Sequence, residues 1–295
     1  MSAVGESFSR RVTLDYIATH YGFELDPEFA KDVTVTSIAD RPESVEPGAL
    51  FVAQQDEDCT AVSRAAGRGA YAALVSSGQA DAARAAGIPH LVWSPSPRAL
   101  GALAADITDN PGGALAVFVV CGNDDDRTEA SAVRLADFLH MLGNPVGLLS
   151  KAGSMSLERD LELEYPLGIL DVQHALSVCS EDGAAAMVVS AESLTLRSDA
   201  LQSVDADVLG TADRITALAG QRLRRGVIAR YGLSLPSDKP IVTCSEESLW
   251  LAGQAHVAGD LDGRRRLALA IAMAMAVGVR KSNIRNALRV SGDMA

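Results

Sequence analysis

Residues 114–150 read ALAVFVVCGNDDDRTEASAVRLADFLHMLGNPVGLLS, and this stretch decides the fold class. The run 114–121 is apolar almost without a break, the pattern of a strand buried on both faces. Apolar residues at helical spacing follow over 127–143, and a second apolar run, PVGLLS, fills 145–150. Strand, glycine turn and helix together form the setting in which backbone N–H groups cradle phosphate. A phosphate loop carries glycines and a lysine at this point. Here Asp124, Asp125 and Asp126 stand in its mouth.

The same alternation extends in both directions. Upstream, VTVTSI (33–38), ALFVAQ (49–54), YAALVSS (71–77) and HLVWSP (90–95) predict strands. Helices are expected over 60–70, 79–87 and 96–108, the last with Ser96 as N-cap and Pro97 in its first turn. The breaker cluster DNPGG (109–113) marks a domain boundary. Downstream come a helix over 168–182, an apolar strand over 184–191, a strand over 206–211, a helix over 212–232 and a strand over 240–245. Two helices, 263–279 and 280–290, close the chain, and LALAIAMAMAVGV (267–279) is apolar on nearly every face. Buried strands separated by helices imply an α/β protein with a parallel sheet covered on both faces. The expectation is a small N-terminal α/β domain, 1–110, and a larger three-layer parallel-sheet domain, 111–295. Ligands of such sheets bind at the carboxyl ends of the strands, where CGNDDDRT sits.

Composition narrows the class. Of 295 residues, 48% are hydrophobic and 22% charged, the balance of a globular protein. A net charge of -12 argues against nucleic-acid binding, because no basic surplus exists to neutralise phosphates. No apolar run reaches a membrane span, and MSAVGESFSRRVTLDY lacks the apolar segment of a signal peptide, so a cytoplasmic chain is expected. Cys59, Cys121, Cys179 and Cys244 are widely spaced, which reads as reduced and buried thiols. Trp93 and Trp250 read as packing residues, and the clusters RLRR (222–225) and GRRR (263–266) read either as solvated helix charge or as a surface for an acidic partner.

The order of these segments resembles the Mur ligase family, closest to its MurE branch. VTVTSIADRPESVEPGALFVA resembles the family's strand, D-S-R turn and PGDLFVA strand, and AAGRGAYAALVSS its next helix–strand unit. PLGILDVQHAL, GAAAMVVSAESL and LALAIAMAMAVGVRKSNIRNAL are similar to three segments of its central domain. The resemblance implies an ATP- and magnesium-dependent enzyme that joins an amino acid to a peptidoglycan precursor. Yet the family's G-T-N-G-K-T loop survives clearly only at Gly122, with Asn123 beside it and Arg127-Thr128 as a shifted Lys-Thr equivalent. Gly122, Asn123, Arg127 and Thr128 are therefore the candidate remains of a cofactor site, and no catalytic or metal residue is expected.

Other family features are missing as well. A magnesium-binding glutamate falls at Val188, with Glu192 nearby in the histidine position, and Asp213-Arg214 replaces an Asp-His pair. The helix after it lacks the lysine that the family carbamylates, GRRRLALA replaces adenine-seating asparagines, and AQQDEDCTAVS lacks the uridine-binding segment. The sequence stops at SGDMA, where the resemblance expects a third domain. The leading expectation is a module that has lost ATP and magnesium and works through a protein partner or as a homo-oligomer, without nucleic acid or membrane insertion. Its contacts are expected around Gly122 to Thr128, the final RVSGDMA, Arg222, Arg224, Arg225 and Arg264 to Arg266. The alternatives are a divergent ligase completed by a partner chain, and a protein that binds a cationic or metal-bound small molecule in the old cleft.

Overall fold

The computed structural model describes residues 12–54, 60–93, 96–213, 215–255 and 260–293. Cys59, Arg214, His256, Met294 and most of the QQDEDC segment lie outside them. The chain divides into two compact units, Met1–Asn110 and Pro111–Ala295.

In chain order the first unit contains β1 (Val12–Thr13), α1 (Leu14–Tyr21), β2 (Glu24–Asp26), β3 (Thr34–Val35), β4 (Ser37–Ala39) and β5 (Ala49–Val52). It continues with α2 (Thr60–Gly67), β6 (Ala72–Val75), α3 (Ala80–Ala86), β7 (His90–Val92) and α4 (Pro97–Ile107). Strands β4, β5, β6 and β7 run parallel, and β2 adds antiparallel at the β7 edge. Residues 33–38 do not form one strand. β3 pairs with β1 in a separate ribbon, and the Thr36 N–H between β3 and β4 donates instead to the Gly48 carbonyl at 3.0 Å. The expected cap of α4 is present, with the Ser96 hydroxyl accepting from the Ala99 N–H at 3.3 Å. Helix α1 follows from the same chemistry: the Thr13 hydroxyl accepts from Tyr16, and Gly22 closes the helix at φ 73°. Trp93 packs as expected, stacked on Phe23 with ring centroids 4.1 Å apart.

The second unit holds β8 (Ala116–Cys121), α5 (Asp125–Met141), β9 (Val146–Leu149), β10 (Met155–Ser156), β11 (Arg159–Asp160), α6 (Ile169–Glu181) and β12 (Ala186–Ala191). Next come β13 (Val208–Thr211), α7 (Ala217–Tyr231), β14 (Ile241–Val242), α8 (Glu246–Ala252), α9 (Leu261–Ala276) and α10 (Lys281–Asp293). The sheet order is β11-β10-β9-β12-β8-β13-β14. Strands β9, β12, β8, β13 and β14 pair in parallel, and at one edge β10 adds antiparallel to β9 and β11 antiparallel to β10. That hairpin falls in a charged stretch without strand alternation, so sequence pattern gives no sign of it.

Alternate residues of each strand enter two separate cores. Val117, Val119 and Cys121 face α6 and α7 together with Met187 and Val189. Phe118 and Val120 face α5, α8, α9 and α10 together with Val188. Three layers result, because every central strand is apolar on both sides. Helix α9 lies within one of these cores, and each residue from Leu267 to Ala274 is buried, as its unbroken apolar pattern requires. Trp250 differs from expectation: it sits on α8, a helix that the sequence reading overlooked, and is 57% exposed with the Arg285 guanidinium 5.6 Å from its ring centre.

Close approach of α9 to the sheet depends on Gly210. A Cβ there would stand 2.1 Å from the Met273 sulfur, and Met273 is fully buried. Gly210→Ala is expected to lower stability by about 1–3 kcal/mol in urea unfolding. Combining it with Met273→Ala should cost less than the sum of the two single changes, because the second removes the clashing atoms.

Candidate functional site

Strand β12 pairs with β8 so that Ala191 lies opposite Cys121, and β13 pairs with β8 so that Thr211 lies opposite Cys121. The residues that follow the three strands therefore lie at one edge. Gly122 and Glu192 come directly after β8 and β12, Asp213 stands two residues past Thr211, and the chain turns from Gly122 into α5.

The three aspartates belong to the helix start rather than to a free loop. Asp124 is the N-cap of α5, and its Oδ1 accepts the Arg127 N–H at 2.9 Å. Asp125 lies in the first turn, and its Oδ2 accepts the Ser193 hydroxyl at 2.8 Å. Asp126 is exposed to solvent. Helix N-termini carry partial positive charge, so carboxylates at these positions are stabilising. The sequence reading began the helix at 127 and missed this capping geometry.

Asp213 fills the turn from the other side. Its Oδ2 accepts from the Asn123 backbone N–H at 3.1 Å and from Asn123 Nδ2 at 2.9 Å. Thr211 and Thr243 hold Asp213 in place: the Thr211 hydroxyl accepts its N–H at 3.2 Å, and the Thr243 hydroxyl donates to its carbonyl at 3.0 Å. Arg127 Nη1 lies 3.9 Å from Asp213 Oδ1, a long and half-exposed ion pair. Thr128 is buried and turns its hydroxyl inward to the Asp124 carbonyl at 2.8 Å. An added Cβ on Gly122 would meet that hydroxyl at 2.9 Å, which accounts for the glycine. The structure thus brings Gly122, Asn123, Arg127 and Thr128 together, and the N–H groups of Asn123 and Arg127 bind carboxylates of this chain.

Beside the turn lies a second acidic group. Glu192 is 2% exposed, and its Oε2 accepts the Leu194 N–H. Its Oε1 and the hydroxyl of Ser190, near the end of β12, have no partner among the described residues. Burial pushes the Glu129 carboxyl up, Glu192 and Asp126 push it further, and the Ala152 backbone and Lys151 pull it back. Lys151 is the lysine near this mouth, with Nζ 4.9 Å from the Tyr165 ring centre and its N–H donating to the Thr195 hydroxyl at 2.8 Å. Sequence spacing gave no signal for Lys151 or Ser193, which reach the site by strand pairing. Among the described residues, no group of three His, Cys, Asp or Glu side chains could hold a metal ion.

The basic clusters divide by role. Arg224 donates from Nη1 to the Pro236 carbonyl at 2.6 Å and from Nη2 to the Lys239 carbonyl, tying α7 to the loop before β14. Arg265 pairs with Asp262 at 3.7 Å, one helical turn away. Arg222, Arg225 and Arg264 are exposed.

No family model matches the chain, and no curated protein does. Solved structures do. A UDP-N-acetylmuramoyl-L-alanyl-D-glutamate–2,6-diaminopimelate ligase aligns at 15% identity over 70% of this chain and 42% of its own, with a TM-score of 0.50. A UDP-N-acetylmuramoylalanyl-D-glutamyl-2,6-diaminopimelate–D-alanyl-D-alanyl ligase from Acinetobacter baumannii aligns at 16% identity over 94% of this chain and 68% of its own, with a TM-score of 0.55. A MurF structure from Acinetobacter baumannii aligns at 14% identity over 94% and 68%, also at 0.55. The likeness is to the fold of Mur ligases and does not single out the MurE branch. The chain spans less than half the length of the first of these proteins and about two thirds of the other two.

Two measurements check the site geometry. Asp124→Ala should cost about 0.5–2 kcal/mol of stability through loss of the cap, and Asp126→Ala, which removes no cap, should cost less. The Cys121 thiol is pushed up to about 12, first by burial and then by Asp213, and burial raises Cys179 as well. At pH 8 a thiol reagent should therefore label the half-buried Cys244 in the folded protein and reach Cys121 and Cys179 only on unfolding.

Proposed function

We propose that this chain uses a Mur-ligase fold as a binding and scaffolding module, linked to bacterial cell-wall synthesis in the cytoplasm, without ATP-driven ligation. One observation carries the reading. The anion-binding end of α5 is occupied by the protein's own carboxylates, Asp124 on the Arg127 N–H and Asp213 on the Asn123 N–H. A triphosphate entering here would have to displace both and then face Asp125 and Asp126. Each close like-charge pair costs about 1 kcal/mol in water and several in a drier cleft, and the displaced cap adds about 1 kcal/mol.

Other features agree with this reading. Helix α7 carries arginines at 222, 224, 225 and 230 and no lysine, so the carbamate implied by the family resemblance has no residue to form on. No helix among the described residues is long and apolar enough to cross a membrane. Leu194, Leu218 and Trp250 are more than half exposed on the second unit, which suits contact with another protein. A partner recognised through the exposed arginines would be acidic, and its association would weaken with salt.

Calorimetric titration of the full chain with magnesium-ATP tests the reading. No saturable heat is expected up to about 1 mM nucleotide, the range in which binding energy falls to about 4 kcal/mol. A dissociation constant in the low micromolar range would overturn it and favour a divergent ligase.

A further inference from the structure

The opposite edge of the larger sheet holds a separate cavity. The turn at Gly122 lies at the carboxyl ends of the strands, whereas this cavity lies where β9 and β12 begin, at the C-terminal ends of α5 and α6. Its volume is about 880 Å³, and His140, Gly143, Asn144, Ser156, Arg159 and Asp182 are among the residues that line it, with Leu157 and Glu158 of the β10–β11 turn. That volume lies in the range of small-molecule sites.

Its chemistry centres on Asp182, the C-cap of α6. The buried Ser156 hydroxyl donates to Asp182 Oδ2 at 2.5 Å, and Arg159 Nη2 donates to the same oxygen at 2.6 Å. Both donors converge on Oδ2, and Oδ1 has no donor among the described residues. These two bonds hold the Asp182 carboxyl below its usual range, so it is charged at neutral pH. Glu158 adds a second carboxylate, and two helix C-termini add partial negative charge, against the one guanidinium of Arg159. Leu157 holds its turn at φ 57°, a conformation that a leucine rarely adopts and that keeps Glu158 and Arg159 on the cavity rim.

We propose that this cavity is a binding site for an organic ammonium group, with Asp182 Oδ1 and Glu158 as its acceptors. Ser156 and Arg159 act as positioning residues that fix the Asp182 carboxylate. The ammonium belongs either to a free amine or to a lysine side chain of another protein.

Amide NMR of the full chain at low ionic strength separates the two sources. One arm titrates butane-1,4-diamine and the other acetyl-Gly-Lys-Gly-amide, with sodium butanoate as the reversed-charge control. The expected result is saturable shifts confined to His140, Gly143, Asn144 and 157–159, absent with butanoate. Saturation by the diamine alone identifies a free amine, and saturation by the peptide identifies a protein lysine. Glu158→Gln, on the exposed turn, should weaken the active probe about threefold, and Asp182→Asn about tenfold, the scale of a lost charge-assisted hydrogen bond. If neither probe saturates, or Glu158→Gln leaves the affinity unchanged, or the shifts spread evenly over other acidic surface, the proposal is overturned.

Discussion

The parallel register of β12, β8 and β13 is the constraint on which the larger unit depends. Ala191, Cys121 and Thr211 are held at one level by backbone hydrogen bonds. The polar residues that follow each strand must then share a single edge. Ser193 is placed against Asp125 in the first turn of α5, and Asp213 against Asn123, although these pairs lie far apart in the sequence. A slip of one residue would exchange the two cores and turn every strand side chain to the wrong layer. The apolar content of both strand faces fixes this register.

The turn after β8 leads from a buried strand into a helix start whose N–H groups meet carboxylates. In an anion site, N–H groups at a helix start remain free for an incoming oxyanion. Here a carboxylate from the helix start and one from the neighbouring strand end bind those groups from within. The same contacts favour folding, because a capped helix with acidic residues in its first turn is more stable than an uncapped one. The N–H groups of Asn123 and Arg127 thus serve the stability of this turn through carboxylates of the chain itself.

Glu192 departs from this internal satisfaction. A buried carboxylate with one bonded oxygen leaves its second oxygen desolvated, which is costly when uncompensated. The Ser190 hydroxyl beside it is in the same position. Among the described residues of the unit the other buried polar side chains find partners, as Ser156 does with Asp182 and Gln173 does with the Gln202 carbonyl.

Much of the fold was legible in the sequence. The apolar runs at 114–121, 145–150, 184–191 and 206–211 identified the parallel strands, because burial on both faces demands continuous hydrophobicity. Ser96-Pro97 marked the start of α4, and the unbroken apolar pattern of 267–274 announced a buried helix. The β10–β11 hairpin was not legible, since it forms in a charged segment whose edge position is set by β9. The site was half legible. Local sequence placed Gly122, Asn123, Arg127 and Thr128 together and showed that three aspartates stood with them. That Asp124 caps the helix, that Asp213 closes the turn from a strand ninety residues away and that Ser193 binds Asp125 was decided by tertiary structure. Side-chain identity determines which charges a chain carries, and only the pairing of distant strands determines which backbone groups those charges reach.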